Sequence, residues 1–151
     1  MVVLRDPVER VISGYYHTTR GAELFRYSVS VPVSLEQYVC DINSQNFMVR
    51  FLSRCVGPAL VANEYLLKAI DELYKYDIVG LTEDMPKTIE RVKSLVPTVV
   101  EKMSHVNANP DKEKGVVYRS KVPNSIIRLI EHHNALDLAL YDSAQKLFYR
   151  G

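Results

Sequence analysis

The residues best suited to chemistry lie within the first seventeen, MVVLRDPVERVISGYYH. An apolar run, Val2-Val3-Leu4, breaks directly onto Arg5-Asp6-Pro7, and a helical pattern follows. Arg5 would end a buried strand with a guanidinium, whose forked donors match a phosphate. Asp6 is a good helix N-cap, Pro7 suits the first helical position, and Glu9 stands where a capping box places its carboxylate. Arg10, Ser13 and His17 fall on one helix face; Val8, Val11, Ile12, Tyr15 and Tyr16 form the apolar one. A helix N-terminus flanked by Arg and Ser suits an anion, most often a phosphate. The same residues also fit a plain α/β turn whose Arg faces solvent, and both readings stay open here.

Other candidates are less sharp. Asn46 and Arg50 lie on a helical stretch whose other side is apolar, so they read either as anion contacts or as an exposed helix face. Glu83 follows Asp77-Ile78-Val79-Gly80-Leu81 and reads as a helix-start acid. Asn107, Lys112 and Lys114 with Gly115 form a loop able to wrap a phosphate, or simply a solvated lysine run. His133 and Asp137 are four apart beside His132, but Asn134 between them reads as a helix cap and no third ligand has fitting spacing, so no metal is expected.

The elements that must position these groups follow from periodicity. Val2–Leu4 and 77–81 read as short buried strands, each running into a helix, and two such βα units imply a parallel sheet. Helices are expected from Pro7, from Leu35 with Ser34 as cap and Gln37 as its partner, over 46–54, 64–76 and 83–96, over 123–133, and after Asn134 as cap. Gly21 to Pro32 and Met103 to Val117 read as loops.

Composition narrows the class. A chain of 151 residues, 47% hydrophobic and 25% charged, fits one globular domain. A net charge of +1 argues against a bulk nucleic-acid partner. No apolar run reaches the roughly 18 residues of a membrane span, and the opening residues lack a secretory-signal pattern. Cys40 and Cys55 lack metal spacing and read as buried thiols, with one bridge between them left open. A buried parallel strand needs neighbours on both edges, so the chain is expected to be the C-terminal part of a larger fold.

Arg5-Asp6-Pro7, then Arg10, Ser13, Tyr15-Tyr16 and His17, closely resemble the 3′-phosphate-binding segment of sulfotransferases that use 3′-phosphoadenosine 5′-phosphosulfate (PAPS). The likeness is greatest to the carbohydrate branch, including the uronyl 2-O-sulfotransferases. Asn46-Phe47-Met48-Val49-Arg50-Phe51-Leu52 is similar to that family's Asn-x-x-Thr-Arg-x-Leu segment, with Val49 in place of the Thr. Residues 77–83 are similar to its short strand, 105–115 to its late closing loop, and 134–141 to its last helix.

The resemblance implies an α/β, P-loop-like sulfotransferase domain, present in part over 1–151, with short parallel strands and many helices. It implies PAPS as donor, no metal, and a hydroxyl acceptor on a carbohydrate. Arg5 and Ser13 would hold the 3′-phosphate, Asn107, Lys112 and Lys114 would close over the nucleotide, and His17 and Arg50 would face the acceptor or nucleotide. Eukaryotic relatives are Golgi membrane proteins with an N-terminal anchor, and bacterial ones can be cytoplasmic. The family's glycine-lysine loop for the 5′-phosphosulfate and its catalytic base are expected upstream, and the chain contains no Gly-x-x-x-x-Gly-Lys cradle. Two or three missing charge-assisted hydrogen bonds, at about 1.5–3 kcal/mol each, lower affinity by about three orders of magnitude or more. A missing general base removes about 10²–10⁴ in rate, so the isolated chain is expected to be nearly inactive. A degenerate nucleotide-binding or interaction module of the same fold is the main alternative, and a nucleotide kinase fragment a weaker one.

Overall fold

A computed structural model describes residues 1–25, 34–55, 61–96 and 118–150. Val2–Leu4 forms β1 and Val79–Leu81 forms β2; they pair in parallel with Val2 opposite Val79 and Leu4 opposite Leu81. Parallel neighbours require a long crossover. Here it carries helices α1 (Pro7–Phe25), α2 (Leu35–Cys40), α3 (Phe47–Ser53) and α4 (Asn63–Leu73). After β2 a 3₁₀ turn, Thr82–Asp84, leads into α5 (Met85–Leu95), and α6 (Asn124–His133) and α7 (Ala135–Arg150) complete the described elements. The α/β class with a parallel sheet is therefore present, in a mostly helical chain.

Two apolar clusters hold these elements. The larger joins Val2, Leu4, Val79 and Leu81 of the strands to Leu52, Leu73, Leu140 and Phe148 of α3, α4 and α7. The smaller joins Val8, Val11 and Ile12 of α1 to Val39 of α2 and Ile130 of α6. Full burial of each such aliphatic side chain is worth about 1.5–3 kcal/mol. So α1 begins at the larger cluster, through β1, and packs into the smaller one. The β1–α1 turn is held at their junction.

Close approach fixes β2 as well. A methyl group at Gly80 would meet Thr88 Cγ2 at 2.4 Å, and Thr88 Oγ1 both accepts from the Leu81 N–H and donates to the Leu81 carbonyl, each at 3.0 Å. Only glycine lets α5 lie this near the strand.

Three expectations change. Helix α1 passes through Gly21 and ends at Phe25, because an isolated glycine weakens a helix by about 1 kcal/mol without ending it. Cys40 is exposed and Cys55 half-buried, and both thiols are free. In α2 the inward position is taken by Val39, and the next residue is turned some 100° away from the core. The expected strand over 77–81 begins only at Val79. The loop expected over 103–117, and most of that expected over 21–32, lie outside the described residues.

Candidate phosphate site at the first strand–helix turn

The turn from β1 into α1 is closed across the sheet. Asp6 Oδ1 accepts the Glu9 N–H at 3.0 Å, the N-cap bond the sequence calls for. The reciprocal half of the capping box is absent. The Glu9 carboxylate instead sits 3.6 Å from Arg5 Nη2, and the Asp6 N–H donates to Glu83 Oε1 at 2.9 Å. Glu83 Oε2 accepts the Tyr141 hydroxyl at 2.7 Å, and Oε1 also accepts the Thr82 hydroxyl at 3.0 Å. Arg119, from a 3₁₀ turn over Tyr118–Lys121, brings Nη1 to 3.4 Å from Asp6 Oδ1. One carboxylate thus ties together the ends of both strands and α7.

Electrostatics follow this geometry. Partial burial pushes the Glu83 carboxyl upward, but the Asp6 amide and the Tyr141 hydroxyl outweigh it and hold the group below its usual range. Burial, then the Glu83 carboxylate, pushes the Tyr141 phenol upward, so it remains a hydrogen-bond donor. The side chains of Arg5 and Arg119 stay 41% and 40% exposed; the Arg5–Glu9 pair is longer than a direct hydrogen bond, and Arg119 donates to Asp6 through a long one. Such pairs are weak and exchangeable.

The candidate residues divide. Arg5 precedes α1, and its guanidinium lies beside Glu9; Ser13, half-buried, follows Glu9 by one helical turn. His17 is exposed on the same helix. Arg10, expected beside Ser13 and His17, turns inward: Nη2 donates to the Ser44 carbonyl at 2.8 Å and to Asn134 Oδ1 at 3.0 Å, and Nε lies 3.7 Å from Asp137 Oδ2. Arg50, read from the sequence as lying on an exposed helix face or contacting an anion, is only 9% exposed and donates Nε to the Gln45 carbonyl at 3.0 Å. Met48, Val49 and Leu52 around it are core, and they draw its stem inward. Asn107, Lys112 and Lys114 lie outside the described residues.

A second polar group lies behind the turn. Asn46 takes a left-handed conformation (φ 47°), and its Oδ1 accepts the Leu136 and Asp137 N–H groups at 3.1 and 3.2 Å. Asp137 returns the contact, accepting the Met48 and Val49 N–H groups at 3.1 and 2.8 Å. Helices α3 and α7 therefore cap each other. Asn134, expected to cap α7 with its side chain, instead accepts the Asn46 N–H and Arg10 Nη2 at Oδ1 and donates Nδ2 to the Ile130 carbonyl. Burial raises the Asp137 carboxyl and lowers Arg10, with each opposing the other's shift through its charge. Asp137 is thus committed to α3 rather than to His133. Among the described residues no group of three or more His, Cys, Asp and Glu side chains is arranged to hold a metal ion.

Comparison with protein-family models, with curated proteins and with solved structures finds no match to this chain. Among the described residues no helix is long and apolar enough to cross a membrane. Sequence reasoning missed Arg119 and Tyr141 as members of the turn. Both come from distant segments, and only their meeting at Asp6 and Glu83 gives them a role.

Proposed function

We propose that the β1–α1 turn holds the 3′-phosphate of PAPS, and that the chain belongs to the nucleotide-binding part of a sulfotransferase acting on a hydroxyl, most simply that of a carbohydrate. The observation that carries this is the state of Arg5. Its guanidinium stands at the C-terminal end of a parallel strand, half-exposed, beside a capped helix N-terminus. Ligands of open α/β sheets favour that end of the strands. In this reading Arg5 makes a bidentate contact to the phosphate and Ser13 donates its hydroxyl. Asn107, Lys112 and Lys114 close over the nucleotide, and His17 lies toward the acceptor. Arg50 is assigned to the scaffold through Gln45.

Sulfuryl transfer of this kind is in-line: the acceptor oxygen bonds to sulfur as the bond to the bridging phosphate oxygen breaks, with the acceptor proton passing to a base. Binding the 3′-phosphate fixes the donor and adds nothing to the bond exchange itself, so its contribution is positional. The sequence has no Gly-x-x-x-x-Gly-Lys segment for the 5′ side, which confines the assignment to the 3′-phosphate end.

The Arg5–Glu9 contact favours a second reading, a nucleotide-binding or interaction module without transfer activity, because a carboxylate already lies on the arginine. Competition binding of adenosine 3′,5′-bisphosphate against ATP tests the proposal. The bisphosphate should displace ATP and not the reverse; equal or stronger binding of ATP would favour a kinase-like site.

A further inference from the structure

We infer that Glu83, braced by Tyr141, is a positioning residue of the phosphate site, setting the direction in which Arg5 leaves the strand. This rests on the functional reading above and adds how that site is held ready. Asp6 N–H is the first backbone donor after Arg5, and it belongs to the peptide plane that joins the two residues. Its bond to Glu83 Oε1 at 2.9 Å fixes that plane against β2. Among the described residues Arg5 itself has no such anchor beyond its 3.6 Å pair with Glu9.

Glu83 is in turn fixed from the far side. Tyr141 is buried within α7, only 6% exposed, and its hydroxyl reaches Oε2 at 2.7 Å. Each carboxylate oxygen therefore serves a different element, Oε1 the Asp6 amide and Oε2 the Tyr141 hydroxyl. The Asp-Pro cap alone does not hold the Arg5–Asp6 peptide; the carboxylate from the 3₁₀ turn after β2 fixes it before any phosphate arrives.

The charged and titratable groups around Glu83 are Asp6 and Arg119 across the turn, Asp84 beside it, and Tyr141 on α7, with Tyr149 acting on Tyr141. Two measurements on the full chain separate this inference from the functional reading. In the first, the Asp6 amide resonance is followed by NMR against pH without ligand. It should show a step from Glu83 below the ordinary carboxylate range, moved upward in Tyr141→Phe and lost in Glu83→Gln.

In the second, adenosine 3′,5′-bisphosphate binding should weaken about fivefold in Glu83→Ala and about threefold in Tyr141→Phe, and recover in Glu83→Gln, whose amide oxygen still accepts the Asp6 N–H. Adenosine 5′-monophosphate binding should not change in any variant. Unchanged bisphosphate affinity in Glu83→Ala and Tyr141→Phe would overturn the positioning role alone, as would an Asp6 amide indifferent to Glu83→Gln. A wild-type chain that binds no bisphosphate would overturn the functional reading and this role with it.

Discussion

The β1–α1 turn and the buried bracket behind it use the same residue types to opposite ends. In the bracket, Asn46 and Asp137 accept four backbone N–H groups at two helix starts, Arg10 donates to Asn134 and pairs with Asp137, and Asn134 and Asp137 are fully buried. In the turn, Arg5 and Arg119 meet carboxylates at 3.6 and 3.4 Å and remain 41% and 40% exposed. A charge taken out of water must be answered by the protein itself, and it then has nothing left to offer a ligand. A charge left at the surface is answered loosely and can exchange its partner. Arg10, inside α1, is structural for this reason, and Arg5, before the helix, is the candidate for binding.

The contrast predicts where substitutions act. Asp137→Ala removes the cap of α3 and leaves Arg10 buried without its counter-charge. It should destabilise the fold by about 3–5 kcal/mol, read by urea denaturation. A loss below about 1 kcal/mol would show that water answers Arg10 and that the bracket is not sealed. Gly80→Ala should cost about 1–3 kcal/mol, since the new methyl would lie 2.4 Å from Thr88 Cγ2. Thr88→Ser, which removes that Cγ2 and keeps the hydroxyl, should recover part of the loss in the double variant. Asn46→Ala withdraws the cap of α7 and places a Cβ residue without a local hydrogen bond at positive φ, for about 1–2 kcal/mol.

The turn should respond to pH rather than to core substitution. The Glu83 carboxyl titrates lower in the folded chain than in the unfolded one, so the unfolded chain binds more protons as pH falls. Its contribution is present above the ordinary carboxylate range and lost as pH drops through the folded value. The slope of stability against pH over that interval should flatten in Glu83→Gln. Arg5→Ala should be the mildest for the fold, about 0.5 kcal/mol or less by thermal melting, because its ion pair is solvent-exposed.

The contrast also marks what the sequence made legible. Both strands, their parallel sense and most helix starts follow from apolar periodicity and caps: Ser34 accepts the Gln37 N–H at 3.1 Å, and Asp6 accepts that of Glu9. These signals are local, with cap and helix in one segment. The bracket was not legible, because Asn46 caps a helix ninety residues away and Asp137 caps one nearly as far back. Asn134 read as a local cap because its type and place were right; only tertiary packing shows that Asn46 took that role. Glu83 was legible as an acid after a strand, yet its partners Asp6 and Tyr141 are 77 and 58 residues distant. Arg10 and Ser13 look equivalent on a helical wheel, and only the contacts of Arg10 with Ser44, Asn134 and Asp137 separate them.

The central claim is that Arg5 is held loosely so that a phosphate can take it. Isothermal titration of adenosine 3′,5′-bisphosphate and of adenosine 5′-monophosphate into the wild-type chain and Arg5→Ala tests it most directly. The bisphosphate should bind more tightly than the monophosphate to the wild type, and Arg5→Ala should abolish that preference with a loss of about tenfold or more at unchanged fold. Equal binding of the two nucleotides by the wild type, or a preference that survives Arg5→Ala, would contradict it.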